Sequence, residues 1–154
     1  MFILQVAKAL EEAHVQYAIA GGYAVALHGA VRGTLDLDLV LRLERKNFLA
    51  GAAALGGLHL EPRLPATAEE VFDFRREYLS NRGLLQWDLH NPEDPSQRVD
   101  IVMDADLKDL EVVMVEANGR ALPVVAREPL IKMKRRSGRP QDLEDARALE
   151  SLAS

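Results

Sequence analysis

Asp36 and Asp38 alternate with leucines in the run 34–41, TLDLDLVL. Successive side chains of a strand point to opposite faces, so residues two apart share one. Carboxylates held side by side raise each other's pKa unless a cation neutralises them. Aspartate is also a poor strand former, so two at alternate positions call for a reason. A divalent metal supplies one. Mg²⁺ takes a few carboxylates together with substrate phosphate oxygens rather than a full protein cage. Upstream, Gly21-Gly22 closes the apolar run 16–20 and opens the alanine-rich segment 23–28. A glycine turn between a strand and a helix leaves backbone N–H groups at the positive helix end, where a phosphate can sit. Between these features, Arg32 can contact a phosphate and Thr34 can fix the turn through its hydroxyl. The chemistry suggested is metal-assisted and acts on a nucleotide. The plainer reading is the polar face of a half-exposed strand, an ordinary glycine turn and a solvated arginine.

A third carboxylate bears on that choice. Asp100 lies in RVDIVM (98–103), between Val99 and Ile101, which marks a central strand. It would complete an acidic triad as base or additional metal ligand. Asp88, in LLQWDLH (84–90), competes for the same role from a less apolar run.

The far end of the chain carries the complementary charge. Residues 127–139 hold six basic side chains and one acidic one, in a protein of net charge −5. A solvated helix face explains Arg135 and Arg136. An anion clamp for a triphosphate is the functional reading for Lys134 and Arg139. Asp142 and Asp145 follow at a spacing of three, on one helix face, where they could orient Lys134 or Arg139. The histidines at 14, 28, 59 and 90 show no ligand spacing and read as structural or exposed.

These residues need elements to carry them. The apolar spacing predicts an amphipathic helix over 2–14, a strand over 16–20, a short buried helix over 23–28, the aspartate strand over 34–41 and a helix over 45–55. A short strand is expected at 59–61, followed by loop at 62–67. Segment 69–79 reads as either a helix or an excursion. Strands over 84–90 and 98–103 flank the turn NPEDPS (91–96) and pair like a hairpin. Strands at 111–116 and 121–125 surround the turn Asn118-Gly119. Helices over 129–136 and 140–152 each carry proline near the start. Mixed strands and helices with several β-turn-β steps predict an α/β or α+β domain with a mixed sheet.

At 154 residues the chain has the length of one domain, 1–154, ending in a short helical segment at 127–152. Acidic net charge argues against a broad nucleic-acid-coating surface. Absence of cysteine excludes disulfides and thiolate metal sites, leaving oxygen or imidazole ligands. The first residues, MFILQVAKALEEAHV, do not read as a signal peptide, and no apolar run reaches membrane-spanning length. A cytoplasmic protein without a membrane partner is the expectation.

Gly21-Gly22 followed by Arg32, Thr34, Asp36 and Asp38 resembles the GG…RxTxDxD signature of the nucleotidyltransferase superfamily. Lys134 followed by Arg139, Asp142 and Asp145 is similar to the K…RxxDxxD motif of small bacterial proteins related to AbiEii-type toxin nucleotidyltransferases. The order and pairing of the two motifs make the match far more specific than either alone. Gly22 stands where many members carry a serine. The resemblance implies a nucleotidyltransferase-like mixed β-sheet flanked by helices. It implies two Mg²⁺ ions bound by Asp36, Asp38 and Asp100, with Asp100 activating the acceptor. Gly21 and Gly22 would hold the triphosphate of an NTP, with Lys134 and Asp142 in the positions of the family lysine and aspartate. The implied activity is transfer of an NMP to a hydroxyl acceptor on RNA, protein or a small molecule. The alternative is a partner in a toxin–antitoxin pair, facing a cognate antitoxin or toxin and acting mainly by binding.

Overall fold

The computed structural model describes residues 1–30 and 36–152. In chain order these form helix α1 (Phe2–Glu12), strand β1 (Tyr17–Ala20), helix α2 (Gly21–Leu27), strand β2 (Leu37–Leu41), helix α3 (Arg45–Gly56), the two-residue strand β3 (Glu61–Pro62) and helices α4 (Ala68–Asp73) and α5 (Arg75–Arg82). Strands β4 (Gln86–Asn91) and β5 (Asp94–Val102), a 3-10 turn (Leu107–Asp109), strands β6 (Val112–Ala117) and β7 (Arg120–Val125), and helices α6 (Arg127–Ser137) and α7 (Pro140–Ser151) complete them. The strands make one seven-stranded sheet in the order β3-β4-β5-β2-β1-β7-β6. Its β2–β5 and β1–β7 neighbours are parallel, and the remaining pairs are antiparallel. The fold is thus the mixed α/β sheet flanked by helices that the sequence implies.

Strand alternation sorts the sheet into an apolar and a chemical face. Leu37, Leu39 and Leu41 of β2 are buried, as are Val99 and Ile101 of β5 and Trp87 and Leu89 of β4. These odd-numbered residues share the face covered by α3: Trp87 stacks on Phe48 with ring centroids 5.5 Å apart, and Gly51 lies against Leu41. Helix α1 packs beside α3 and buries Ile3, Val6, Ala7 and Leu10, the spacing of one helical stripe. The even-numbered residues, Asp38, Asp100 and Asp88 among them, point to the opposite face. Helices α2, α6 and α7 pack together on that side.

Several boundaries differ from the sequence expectation. Helix α2 starts at Gly21 itself, so the two glycines are its first turn rather than a loop before it. Strand β2 starts at Leu37, which leaves Asp36 just ahead of the strand. The segment 68–82 is helical throughout its two pieces, α4 and α5. Thr67 caps α4 in a reciprocal pair with Glu70: the Glu70 amide donates to Thr67 Oγ1 at 3.1 Å and the Thr67 amide to Glu70 Oε1 at 3.1 Å. Of the expected turn at 91–96, Asp94 onward already belongs to β5, with a register shift between His90 and Asn91. No helix among the described residues is long and apolar enough to cross a membrane.

Candidate active site

Parallel pairing of β2 and β5 sets Leu37 opposite Val99, Asp38 opposite Asp100 and Leu39 opposite Ile101. On the far side of β5, antiparallel β4 sets Asp88 opposite Asp100. Residues opposite in register share a face, so Asp38, Asp100 and Asp88 form a row of carboxylates across three strands. Arg98 precedes Asp100 by two residues and shares that face. Its Nη2 lies 3.0 Å from Asp88 Oδ2 and 3.7 Å from Asp100 Oδ2, and its Nη1 lies 3.9 Å from Asp36 Oδ2.

The row is costly to hold. Burial pushes the Asp38 carboxyl up to about 7, helped by the charges of Asp100 and Asp36 and opposed by Lys134 and Arg98. Burial likewise raises Asp100 to about 6, with Arg98 and Arg63 opposing and Asp88 and Asp36 adding to the rise. The Asp100 side chain is only 5% exposed, and its Oδ1 is buried without a hydrogen-bond partner. Asp38 Oδ1 accepts from Gln86 Nε2 at 3.3 Å. Asp36 stands at the rim, 60% exposed.

Gly21 explains how Asp38 fits. Its φ is +62°, a conformation that glycine adopts without penalty. A Cβ at that position would lie 1.9 Å from Asp38 Oδ2. The missing side chain therefore lets the carboxylate close onto the first turn of α2.

The C-terminal helices supply the opposite wall. Helix α6 ends at Gly138 in the left-handed conformation, and Pro140 opens α7 one residue after Arg139. This tight corner folds α7 back on α6. Lys134 Nζ sits between Asp142 Oδ1 at 3.4 Å and Asp145 Oδ2 at 3.0 Å, all three residues being buried. Arg139 donates from Nε to Asp142 Oδ2 at 2.8 Å. Burial alone would raise the Asp142 carboxyl, but the Arg139 hydrogen bond and the charges of Lys134 and Arg139 hold it below the usual carboxylate range. A cavity of about 330 Å³ between the walls is lined by Gly22, Asp36, Asp38, Asp100, Lys134 and Arg139, with Asp142 beside them. A neighbouring cavity of about 370 Å³ adds Gly21. A larger cleft of about 830 Å³ between α5 and α6 holds none of these residues, so volume is not the guide to the chemistry here.

No protein-family model and no curated protein matches the sequence. Solved structures do match, at low identity and over nearly the whole chain. One is ANT(2'')-Ia in complex with adenylyl-2''-tobramycin, with TM-score 0.65 and 14% identity, covering 99% of this chain and 87% of that one. A second is the lincosamide antibiotic adenylyltransferase LnuA, lincomycin-bound, with TM-score 0.62 and 15% identity over 97% of this chain and 95% of that one. A third is a putative nucleotidyltransferase from Thermotoga maritima, with TM-score 0.61 and 16% identity over 94% of this chain and 88% of that one. The chain has the nucleotidyltransferase fold.

On this nucleotidyltransferase fold the described motif residues Gly22, Asp36 and Asp38 from one end of the chain and Lys134, Arg139 and Asp142 from the other line one cavity. Arg32 and Thr34 lie outside the described residues. The donor set suits a hard divalent cation: oxygen ligands only, one buried Asp100 oxygen without a partner, and two carboxyls raised first by burial and then by neighbouring carboxylates. Asp36, Asp38 and Asp100 could hold such an ion. Asp88 is engaged elsewhere, by Arg63 at 3.1 Å and by Arg98. Among the described residues no three carboxylate or imidazole side chains converge as a ready-made metal cage; the Arg98 guanidinium stands among Asp36, Asp88 and Asp100 instead. Sequence reasoning missed both Arg98 and Gln86. Their signal was the period of two, since Gln86, Asp88, Arg98 and Asp100 fall on the aspartate face once the hairpin register is known.

Proposed function

We propose that this chain transfers a nucleoside monophosphate from an NTP to a hydroxyl acceptor and releases pyrophosphate. The observation that carries the reading is the pairing of Asp38 with Asp100 across two parallel strands, on the face that looks toward Lys134 and Arg139. An acidic wall and a basic wall around one cavity suit a triphosphate and the cations that travel with it. Mg²⁺, expected as two ions held by Asp36, Asp38 and Asp100, would neutralise charge on the attacking and leaving oxygens of an in-line displacement.

The side chains divide the remaining work. Asp100, opposite Asp38 in register, is the carboxylate that would take the proton of the acceptor hydroxyl. Arg139, 74% exposed and anchored through Asp142, reaches the phosphates. Lys134, fixed by Asp142 and Asp145, contributes charge from a set position and loses little freedom when the nucleotide arrives. Backbone groups of Gly21 and Gly22 line the phosphate side. By the resemblance of their motif, Arg32 and Thr34 would also serve in nucleotide binding. ANT(2'')-Ia in its complex with adenylyl-2''-tobramycin and LnuA in its lincomycin-bound form point to a small hydroxyl-bearing acceptor and an adenylyl donor as the first pair to try.

The test is incorporation of label from each of the four NTPs, with and without Mg²⁺, into small-molecule, RNA and protein pools. Metal-dependent transfer by the wild type that Asp38→Asn abolishes supports the reading. Absence of transfer into every pool speaks for the alternative, a toxin–antitoxin partner of this fold that acts by binding alone.

A further inference from the structure

Arg98 is unusual in this site because it occupies the space that the acidic residues leave for a cation. Its guanidinium touches three carboxylates from three different places in the chain: Asp36 ahead of β2, Asp88 on β4 and Asp100 on its own strand. The contacts are graded. Asp88 takes the short ones, Nη2 to Oδ2 at 3.0 Å and Nε to Oδ1 at 3.3 Å, whereas Asp100 at 3.7 Å and Asp36 at 3.9 Å are looser. Asp88 is itself held from behind by Arg63, Nε to Oδ2 at 3.1 Å. The chain Arg63–Asp88–Arg98 therefore ties the guanidinium at the margin of the acidic row. It leans on the two outer ligand candidates without being locked to them.

We propose that Arg98 is the resident counter-cation of the site, held by Asp88, and that a divalent metal binds by displacing its guanidinium from Asp36 and Asp100. This rests on the reading of Asp36, Asp38 and Asp100 as metal ligands. Two cations cannot share those oxygens without repulsion, so the guanidinium keeps the metal-free site neutralised and lowers its affinity for a bare ion. A nucleotide triphosphate brings enough negative charge to offset that repulsion. The arrangement thus favours metal arriving with nucleotide over metal alone. Asp88, which competes with Asp100 in the sequence pattern, is a positioning residue that sets how far Arg98 leans inward.

The experiment is a direct Mn²⁺ titration of the full chain by electron paramagnetic resonance, without nucleotide and then with ATP. Arg98→Gln should bind Mn²⁺ roughly tenfold more tightly than the wild type without nucleotide, and ATP should improve its Mn²⁺ affinity by a smaller factor. Arg98→Lys keeps the charge and should fall between the two, which separates loss of charge from loss of shape. Asp88→Asn should weaken Mn²⁺ binding more in the wild type than in the Arg98→Gln background, because only the former has a guanidinium to release inward. Unchanged or weaker Mn²⁺ binding in Arg98→Gln, with the wild-type signal still abolished by Asp38→Asn, overturns this inference and leaves the metal reading intact. A wild-type signal indifferent to Asp38→Asn overturns both.

Discussion

Gly21 and Asp38 are built into one another: a single methyl group on Gly21 would lie 1.9 Å from Asp38 Oδ2 and 2.7 Å from its carboxyl carbon. Both are backed by regular structure, Gly21 by the β1–α2 junction and Asp38 by the centre of the sheet. Neither can retreat cheaply, because Gly21 also has φ of +62°, which disfavours any side chain. Gly21→Ala should therefore displace the carboxylate by about an ångström. Loss of transfer activity by about 100-fold is expected, with about 1–3 kcal/mol of stability lost. Activity assays beside urea unfolding check this. Wild-type activity in Gly21→Ala would show that Asp38 need not sit where it does.

The acidic row should make the metal-free protein less stable as pH rises. Asp38 at about 7 and Asp100 at about 6 both lie above the ordinary value of 3.8. Between about pH 4 and 7 the folded chain holds protons that the unfolded chain has released, so stability falls as pH rises through that window. Asp142 is shifted the other way, and its contribution is lost as pH falls below the usual carboxylate range. Calorimetric Tm in EDTA should decline from about pH 4 to 7, and Asp38→Asn should flatten the decline. A Tm that rises steadily through this window contradicts the account.

Lys134 offers a test of the second wall. It lies 3.0 Å from Asp145 and 3.4 Å from Asp142, with little solvent at any of the three. Lys134→Met takes the ammonium away from two buried carboxylates, Asp142 keeping Arg139 and Asp145 keeping Gln141 as partners, and should cost up to about 3 kcal/mol. Adding Asp145→Asn to Lys134→Met should return part of that stability in urea unfolding. No recovery would indicate that the lysine acts through packing rather than charge.

The parts of this site legible in the sequence are those with a local signature. Asp36, Asp38 and Asp100 stand out because charge interrupts apolar strands, and the Asn118-Gly119 turn declares the β6–β7 hairpin. Lys134 stands out within a basic run of an acidic chain, and Asp142 and Asp145 through helical spacing. What was not legible depends on the register in which the strands pair. Arg98 carries no local signature until the strands are set in register, when it falls among three carboxylates. The same register moves Asp88 from a rival of Asp100 to a partner of Arg98 and Arg63. Gly21-Gly22 reads as a turn because glycine weakens helices. Its placement as the first turn of α2 depends on the close approach of Asp38. The region 68–82 lacked a clean period, since its two short helices are separated at Phe74.

The central claim is that the acidic row binds an NTP through divalent metal. Isothermal titration of the wild type with ATP, CTP, GTP and UTP, in Mg²⁺ and in EDTA, tests it most directly. The account predicts a binding isotherm in Mg²⁺ for at least one nucleotide, no heat in EDTA, and loss of the Mg²⁺ isotherm in Asp38→Asn and Asp100→Asn proteins that remain folded by circular dichroism. Binding of equal affinity in EDTA, or in Asp38→Asn, would contradict it.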